Sequence, residues 1–219
     1  MAHSTVTAAT HMDAMYRYQR YVYDASRKYY LLGRDRLLDE LEVPEGGTVL
    51  EVACGTGRNL IKAARRYPDA KLYGFDISQE MLASARSSIM RAGFADRVSV
   101  AEGDASNFSG ERLFNIPTFD RVVVSYALSM IPPWRRALEQ AMTSVAPGGA
   151  LYIVDFGAQG ELPTWFKSGL RAWLANFSVE PRDSFEAELR GVADRRGLSV
   201  HSECLYRGYA TYAVVTRSP

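Results

Sequence analysis

Residues 48–60 read TVLEVACGTGRNL, and the fold turns on how that stretch is read. An apolar, β-branched run from Thr48 to Ala53 gives way to a turn carrying Gly55 and Gly57, and then to an amphipathic segment opening at Arg58. Strand, glycine turn, helix is the opening half of a βαβ unit. Glycines at 55 and 57 let the backbone turn sharply and come close to a ligand with no Cβ in the way. In open α/β sheets ligands bind outside the carboxyl ends of strands, which is where this loop falls.

Outward from the loop the same rhythm repeats. The runs KLYGFD (71–76), VSVAEGD (98–104), FDRVVVSYAL (119–128) and ALYIVDF (150–156) read as strands, with amphipathic helices at crossover lengths between the first three. Near-continuous apolar strands imply a parallel sheet covered on both faces, hence a doubly wound α/β sandwich. After the fifth strand, 161–177 and 183–196 read as helices. LSVHSEC and GYATYAVVT read as two final strands separated by LYR, too short for a crossover, so they should be antiparallel. The expected fold is a mostly parallel seven-stranded sheet with a C-terminal antiparallel strand, preceded by an N-terminal helix.

With 219 residues, 47% of them apolar, the chain suits one main domain with an appendage. The balance of 26 basic and 25 acidic residues gives a net charge of +1, without the cationic field of a nucleic-acid-binding protein. Two cysteines, Cys54 and Cys204, make neither a disulfide framework nor a structural zinc site and suit a reducing compartment, so the cytoplasm is expected. No run of 18 apolar residues occurs. Any membrane contact should be peripheral.

The second strand ends GFDIS, placing Asp76 25 residues after Glu51, where a carboxylate accepts hydrogen bonds from ribose hydroxyls. The third ends GDA, offering Asp104 to an exocyclic amine. A nicotinamide cofactor competes for such a loop, but the dinucleotide fingerprint wants a third glycine and a pyrophosphate at the helix N-terminus. Here the loop has no third glycine, and Glu51 suits a cationic amino-acid ligand better than pyrophosphate. VLEVACGTG, GFDIS and GDA at these spacings resemble the successive cofactor motifs of class I S-adenosylmethionine-dependent methyltransferases, with Ala53 standing where glycine is usual.

That resemblance implies a Rossmann-like fold, S-adenosylmethionine as cofactor, and a site made residue by residue. Glu51, Ala53, Asn59 and the Gly55–Gly57 backbone would face the methionine part, Asp76 the ribose, and Ile77 and Met81 the adenine faces. Asp104 and Ala105 would take the adenine edge and Ser125 the methionine amino group. Methyl transfer from a sulfonium is an in-line displacement, so proximity and alignment dominate and no His or Cys constellation is required. Amino-methylating DNA enzymes resemble one another in an Asn/Asp-Pro-Pro-Tyr box after the fourth strand, where this chain reads SYALSMIPPW. Metal-dependent catechol-type enzymes carry a carboxylate cluster there. Neither a nucleic acid nor a metal is expected.

Residues 15–34, MYRYQRYVYDASRKYYLLGR, are dense in tyrosine and arginine. A helix over 13–32 would put Met15, Tyr18, Val22, Ala25, Tyr29 and Leu32 on a docking stripe, with Tyr16, Tyr23 and Tyr30 beside Arg20, Arg27 and Arg34 on one flanking face. Residues 1–42 are therefore expected to cap the cofactor site and 43–219 to form the cofactor-binding domain. Tyrosine faces suit a positively charged amine and arginine suits a carboxylate. Near the other end, LPTWFKSGLRAWLANF puts Leu162, Trp165, Phe166, Leu170, Trp173, Leu174 and Phe177 on half a helical wheel, with Lys167 and Arg171 opposite. Such a helix either covers the sheet or lies in a membrane interface.

The lead-in YVYDASRKYYLLGRDRL, the Trp-rich segment and VEPRD (179–183) together resemble bacterial N-methyltransferases that convert diacylglycerylhomoserine to the betaine lipid diacylglyceryl-trimethylhomoserine. Bacterial phosphatidylethanolamine N-methyltransferases share a related lead-in. The resemblance implies a lipid substrate at the inner face of the membrane. Tyr23 and Tyr30 would then sit against the amine as it becomes quaternary and Arg27 against the headgroup carboxylate, with Tyr23 and Arg34 also against the cofactor.

Overall fold

The computed structural model describes residues 30–219. The expected helix over 13–32, with Tyr23 and Arg27, lies outside the described residues apart from its last turn. Seven strands form one sheet: β1 (Thr48–Val52), β2 (Lys71–Asp76), β3 (Val98–Glu102), β4 (Phe119–Ser125), β5 (Val145–Phe156), β6 (Ser199–Leu205) and β7 (Ala210–Thr216). Their order is β3-β2-β1-β4-β5-β7-β6. β7 pairs antiparallel with both β5 and β6, and the other pairings are parallel. The β6–β7 turn uses three consecutive left-handed residues, Tyr206, Arg207 and Gly208, which closes a hairpin where a crossover had no room.

The strands read as continuous apolar runs because alternate residues enter two different cores. Val49, Val123, Tyr152 and Val154 pack on one face, beneath α1 (Arg34–Asp39), α2 (Arg58–Arg66) and α3 (Gln79–Ala92). Leu50, Val52, Val122, Val124, Leu151 and Ile153 pack on the other, beneath α5 (Trp134–Thr143) and α7 (Phe185–Arg195). A short α4 (Gly110–Phe114) follows β3, and α6 (Thr164–Ala175) follows β5.

Two boundaries differ from expectation. β4 stops at Ser125 because Tyr126 takes φ 53, its N–H donating to the Val154 carbonyl at 2.7 Å. β5 begins at Val145, before the irregularity at Gly148 (φ 72).

The strand order reverses between β1 and β4, so the crevice outside their carboxyl ends is the switch point where such sheets bind ligands. The loops after these two strands, 53–57 and 126–133, face each other there. Across the crevice the turn at 30–33 is fastened by side chains from the sheet: the Tyr126 hydroxyl donates to the Leu32 carbonyl at 2.6 Å and the Tyr209 hydroxyl to the Tyr30 carbonyl at 2.9 Å. Gly33 (φ 83) allows the approach, since a Cβ there would stand 2.9 Å from Leu205 Cδ1.

The Trp-rich segment is helical over Thr164–Ala175, yet only Leu174 of its apolar half-wheel is buried. Trp165 is 77% exposed, Phe166 40% and Trp173 38%. The helix is held at its base by Arg171, which pairs with Asp183 (3.1 Å) and donates to the Gln159 side chain (3.1 Å). Arg171 is thus engaged within the fold. No helix among the described residues is long and apolar enough to cross a membrane.

Candidate active site

A cavity of about 670 Å³ opens at the switch point, within the range of small-molecule sites. Arg34, Glu51, Ala53, Gly55, Asn59, Asp76, Ile77, Met81, Asp104, Ala105 and Ser125 all line it. They come from the ends of β1 to β4, from the first turns of α2 and α3, and, for Arg34, from the start of α1.

Glu51 ends β1 with its side chain buried and accepts from Asn59 Nδ2 at 2.7 Å. It can sit on the sheet because its register partner on β2 is Gly74, where a Cβ would come within 2.6 Å of Leu60 Cδ1 and 2.9 Å of Cys54 Cβ. Asp76 closes the glycine loop from β2: Oδ2 accepts from the Gly55 N–H at 2.8 Å and Oδ1 from the Ser78 N–H at 2.9 Å. The expectation gave Asp76 to a ribose, and the structure adds that this carboxylate shapes the loop and the start of α3. Asp104 Oδ1 accepts from both the backbone and hydroxyl of Ser106, each at 2.8 Å.

Ser78 caps α3, accepting from the Met81 N–H, which sets Met81 into the cavity wall. Cys54 lines the cavity but burial, reinforced by Asp76 and Glu51, pushes its thiol well up, so it stays a thiol. Burial likewise pushes the Tyr126 phenol well up.

Two expected residues are placed elsewhere. Gly57 (φ 73) stands at the N-cap of α2 outside the cavity lining, where a Cβ would stand 3.2 Å from that of Ala85. It permits the close packing of α2 on α3. Tyr30 also lies off the cavity lining: its ring packs edge-on against Trp173, centroids 4.9 Å apart, and Leu31 of the same turn lines the cavity instead. A further wall, Met130, Ile131, Pro132, Pro133 and Arg136, went unread in the sequence. The Pro-Pro pair after the fourth strand was its only signal, marking a loop that is not a helix.

Carboxylates (Glu51, Asp76, Asp104) and guanidinium groups (Arg34, Arg58, Arg136) share this cavity with apolar walls, which fits a ligand carrying both a cation and a carboxylate. Two buried polar atoms in its lining, Ser125 Oγ and Asn59 Oδ1, have no hydrogen-bond partner within the protein. Beside the Glu51 carboxylate they would accept from an ammonium group. The donor set therefore fits the amino-acid end of S-adenosylmethionine, and Asp104 and the apolar Ile77, Met81 and Phe75 fit a nucleoside.

Residues 49–149 match the family model described as a methyltransferase domain. The ubiquinone/menaquinone biosynthesis C-methyltransferase UbiE of Cereibacter sphaeroides is 30% identical over 125 residues, which are 57% of this chain and 48% of that protein. The trans-aconitate 2-methyltransferase of Variovorax paradoxus is 30% identical over 138 residues, 62% of this chain and 47% of that one. The chain thus aligns with about half the length of the curated relatives it matches. Among solved structures, an O-methyltransferase family protein from Burkholderia thailandensis superposes with a TM-score of 0.69 at 22% identity, over 89% of this chain and 59% of that one. The cyclase SpnF does so at 0.62 and 18%, over 85% and 80%. Fold alone therefore leaves the reaction open; the methyltransferase-domain match covers residues 49–149, under half of the chain, and the sheet and cavity built around them have the Rossmann-like fold of S-adenosylmethionine-dependent methyltransferases.

Proposed function

We propose that this protein methylates the amine of a lipid headgroup, with diacylglycerylhomoserine as acceptor and the betaine lipid diacylglyceryl-trimethylhomoserine as product. The observation that carries the reading is an aromatic path from an exposed helix face to the cavity. Trp173 packs on Phe177 at 5.0 Å between centroids, and Phe177 packs against Met81, as does Met130, both methionines standing in the cavity wall. Acyl chains held at the Trp165–Phe166–Trp173 surface would lie beside the site that receives their headgroup.

The bound cofactor supplies a methyl group on a sulfonium. Held there, it would offer that methyl to the amine's lone pair and leave as S-adenosylhomocysteine, and the proton shed by nitrogen would pass to water. The protein would orient and exclude solvent: Glu51, Asn59 and Ser125 would hold the cofactor's ammonium, Arg34 would meet a carboxylate, and Met81, Met130 and Ile131 would keep the transfer path dry. Carbon methylation asks for a base to raise an enolate or phenolate. Here Asp76 is engaged by two backbone N–H groups, the Cys54 and Tyr126 groups are pushed up, and the Tyr126 hydroxyl donates to Leu32. An acceptor with its own lone pair suits this site better.

A quinone acceptor is the second reading, favoured by the 30% identity to UbiE. Phosphatidylethanolamine is the near alternative within the lipid-amine class. The test offers purified protein diacylglycerylhomoserine, phosphatidylethanolamine and demethylmenaquinone in matched micelles with methyl-labelled cofactor. Label should enter diacylglycerylhomoserine, faster as pH rises through the amine's titration. Label in the quinone alone would overturn the amine reading.

A further inference from the structure

VEPRD, residues 179–183, reaches the cavity without lining it. The wall loop after β4 turns on itself at Ala127, whose carbonyl takes the Met130 and Ile131 N–H groups at 3.0 and 3.1 Å. The next carbonyls are left for other partners. Arg182 supplies two: Nε donates to the Leu128 carbonyl at 3.2 Å and Nη2 to the Ile131 carbonyl at 3.1 Å. The Glu180 N–H supplies a third, to the Ser129 carbonyl at 2.8 Å. On the inner side, the Ser129 N–H is fixed by Asp155 at 3.1 Å. The Arg182 side chain is only 16% exposed and is steadied by an ion pair to Glu180, itself 78% exposed.

We infer that Arg182 is a positioning residue for the methyl acceptor: from outside the cavity it fixes the Leu128–Ile131 backbone, and so the placement of Met130 and Ile131 in the wall on the acceptor side. The argument rests on the methyltransferase reading above. A guanidinium presents Nε and one Nη along a single planar edge, matched to two carbonyls, and an ammonium cannot span both in that geometry. The glycine loop, Asp76 and Asp104 come from β1, β2 and β3, which Arg182 does not touch. The clamped loop meets the cofactor side through Met130, which packs on Met81, so losing the clamp should weigh more on acceptor placement than on cofactor binding. Next in sequence, Asp183 pairs with Arg171 of α6, so the clamp and the exposed aromatic helix share one short segment.

The experiment compares the wild type with Arg182→Gln, Arg182→Lys and Glu180→Ala. Three measurements are made on each: S-adenosylhomocysteine affinity, kcat and KM for diacylglycerylhomoserine in micelles, and hydrogen exchange across 127–131. Arg182→Gln should raise KM or lower kcat/KM by about tenfold, the scale of a small misplacement, with faster exchange confined to 127–131 and a smaller change in S-adenosylhomocysteine affinity. Lysine should not rescue. Should both Arg182 variants fail to fold, Glu180→Ala, altering an exposed side chain, should move the same readouts in the same direction by a smaller factor. Unchanged kinetics and exchange in all soluble variants would overturn the inference, as would weaker S-adenosylhomocysteine binding at unchanged KM. Failure of the wild type to bind S-adenosylhomocysteine would sink the methyltransferase reading instead. Failure to methylate this lipid would sink the acceptor assignment, and the exchange data alone would then decide the clamp.

Discussion

Asp76→Asn isolates what one carboxylate does for the cofactor loop. In the native protein the two oxygens of Asp76 serve two different backbone donors, Gly55 at 2.8 Å and Ser78 at 2.9 Å. Asparagine keeps one oxygen and turns an NH₂ toward the other donor, so one charge-assisted bond is lost and a donor faces a donor. A hydrogen bond to a charged group contributes about 1.5–3 kcal/mol. At roughly 2–4 °C per kcal/mol for a domain of this size, the melting temperature should fall by about 3–12 °C. The loop that Asp76 closes is also the cofactor's cradle, so S-adenosylhomocysteine affinity should drop by at least about tenfold, the equivalent of about 1.4 kcal/mol. Thermal unfolding read by circular dichroism and titration calorimetry measure the two effects separately. A variant with wild-type melting and wild-type affinity would refute both the loop-shaping role and the placement of the cofactor.

Gly57→Val should destabilise by more than about 1 kcal/mol, since a branched side chain at φ 73 is strained and its Cβ meets Ala85 at 3.2 Å; urea unfolding checks it. Trp165→Ser should leave the melting temperature unchanged because Trp165 is 77% exposed, yet weaken association with vesicles containing anionic lipid in a sedimentation assay. Trp173→Ser should weaken that association and also lower the melting temperature, because its ring packs on both Tyr30 and Phe177. Asp155 is fully enclosed and burial raises its pKa, so the folded state holds a proton that the unfolded state has released. Stability from this group is full below about pH 4 and is lost as pH rises through its raised pKa. The difference in urea midpoint between wild type and Asp155→Asn should shift accordingly across the mildly acidic range, and a pH-independent difference would contradict it.

The sheet was legible because burial on both faces writes itself as uninterrupted apolar runs, and because LYR is too short for anything but a hairpin. The polar end of the cavity was legible too, since Glu51, Asp76 and Asp104 stand at or just past the carboxyl ends of strands, where open α/β sheets bind ligands. What the sequence hid is of another kind. Tyr126 is an ordinary strand residue by type, and only its left-handed backbone reveals that β4 ends and the wall loop begins there. Met130, Ile131, Pro132 and Pro133 follow no period, so nothing marked them as a cavity wall. Gly57 looked like its neighbour Gly55, and only the nearness of Ala85 shows that one glycine serves packing and the other the cavity. In α6 the apolar half-wheel has the same pattern whether it is buried or left exposed, and only the structure shows that Leu174 alone of it is buried.

Segments near both ends of the described residues meet beside the cavity, and that meeting explains an otherwise odd use of tyrosine. Tyr126 and Tyr209 both pack on Phe156, with ring centroids 4.8 and 5.9 Å from it, and their hydroxyls reach the carbonyls of Leu32 and Tyr30. A phenylalanine would fill either site equally well in the core. The hydroxyls matter because each supplies a donor to a carbonyl of the 30–33 segment, and a buried carbonyl without a donor is costly. Burial raises both phenols, the Tyr209 group to about 12, so both remain donors at any physiological pH. The turn they secure carries Leu31 and the buried Arg34 into the cavity. A cation for a carboxylate ligand is thus set in place by residues more than ninety positions away, and the Tyr30–Trp173 contact joins that same turn to the exposed aromatic helix. The acceptor's headgroup and its acyl chains would in this way be read by one rigid corner of the fold, built from the start of the described chain, the end of β4 and the β6–β7 hairpin.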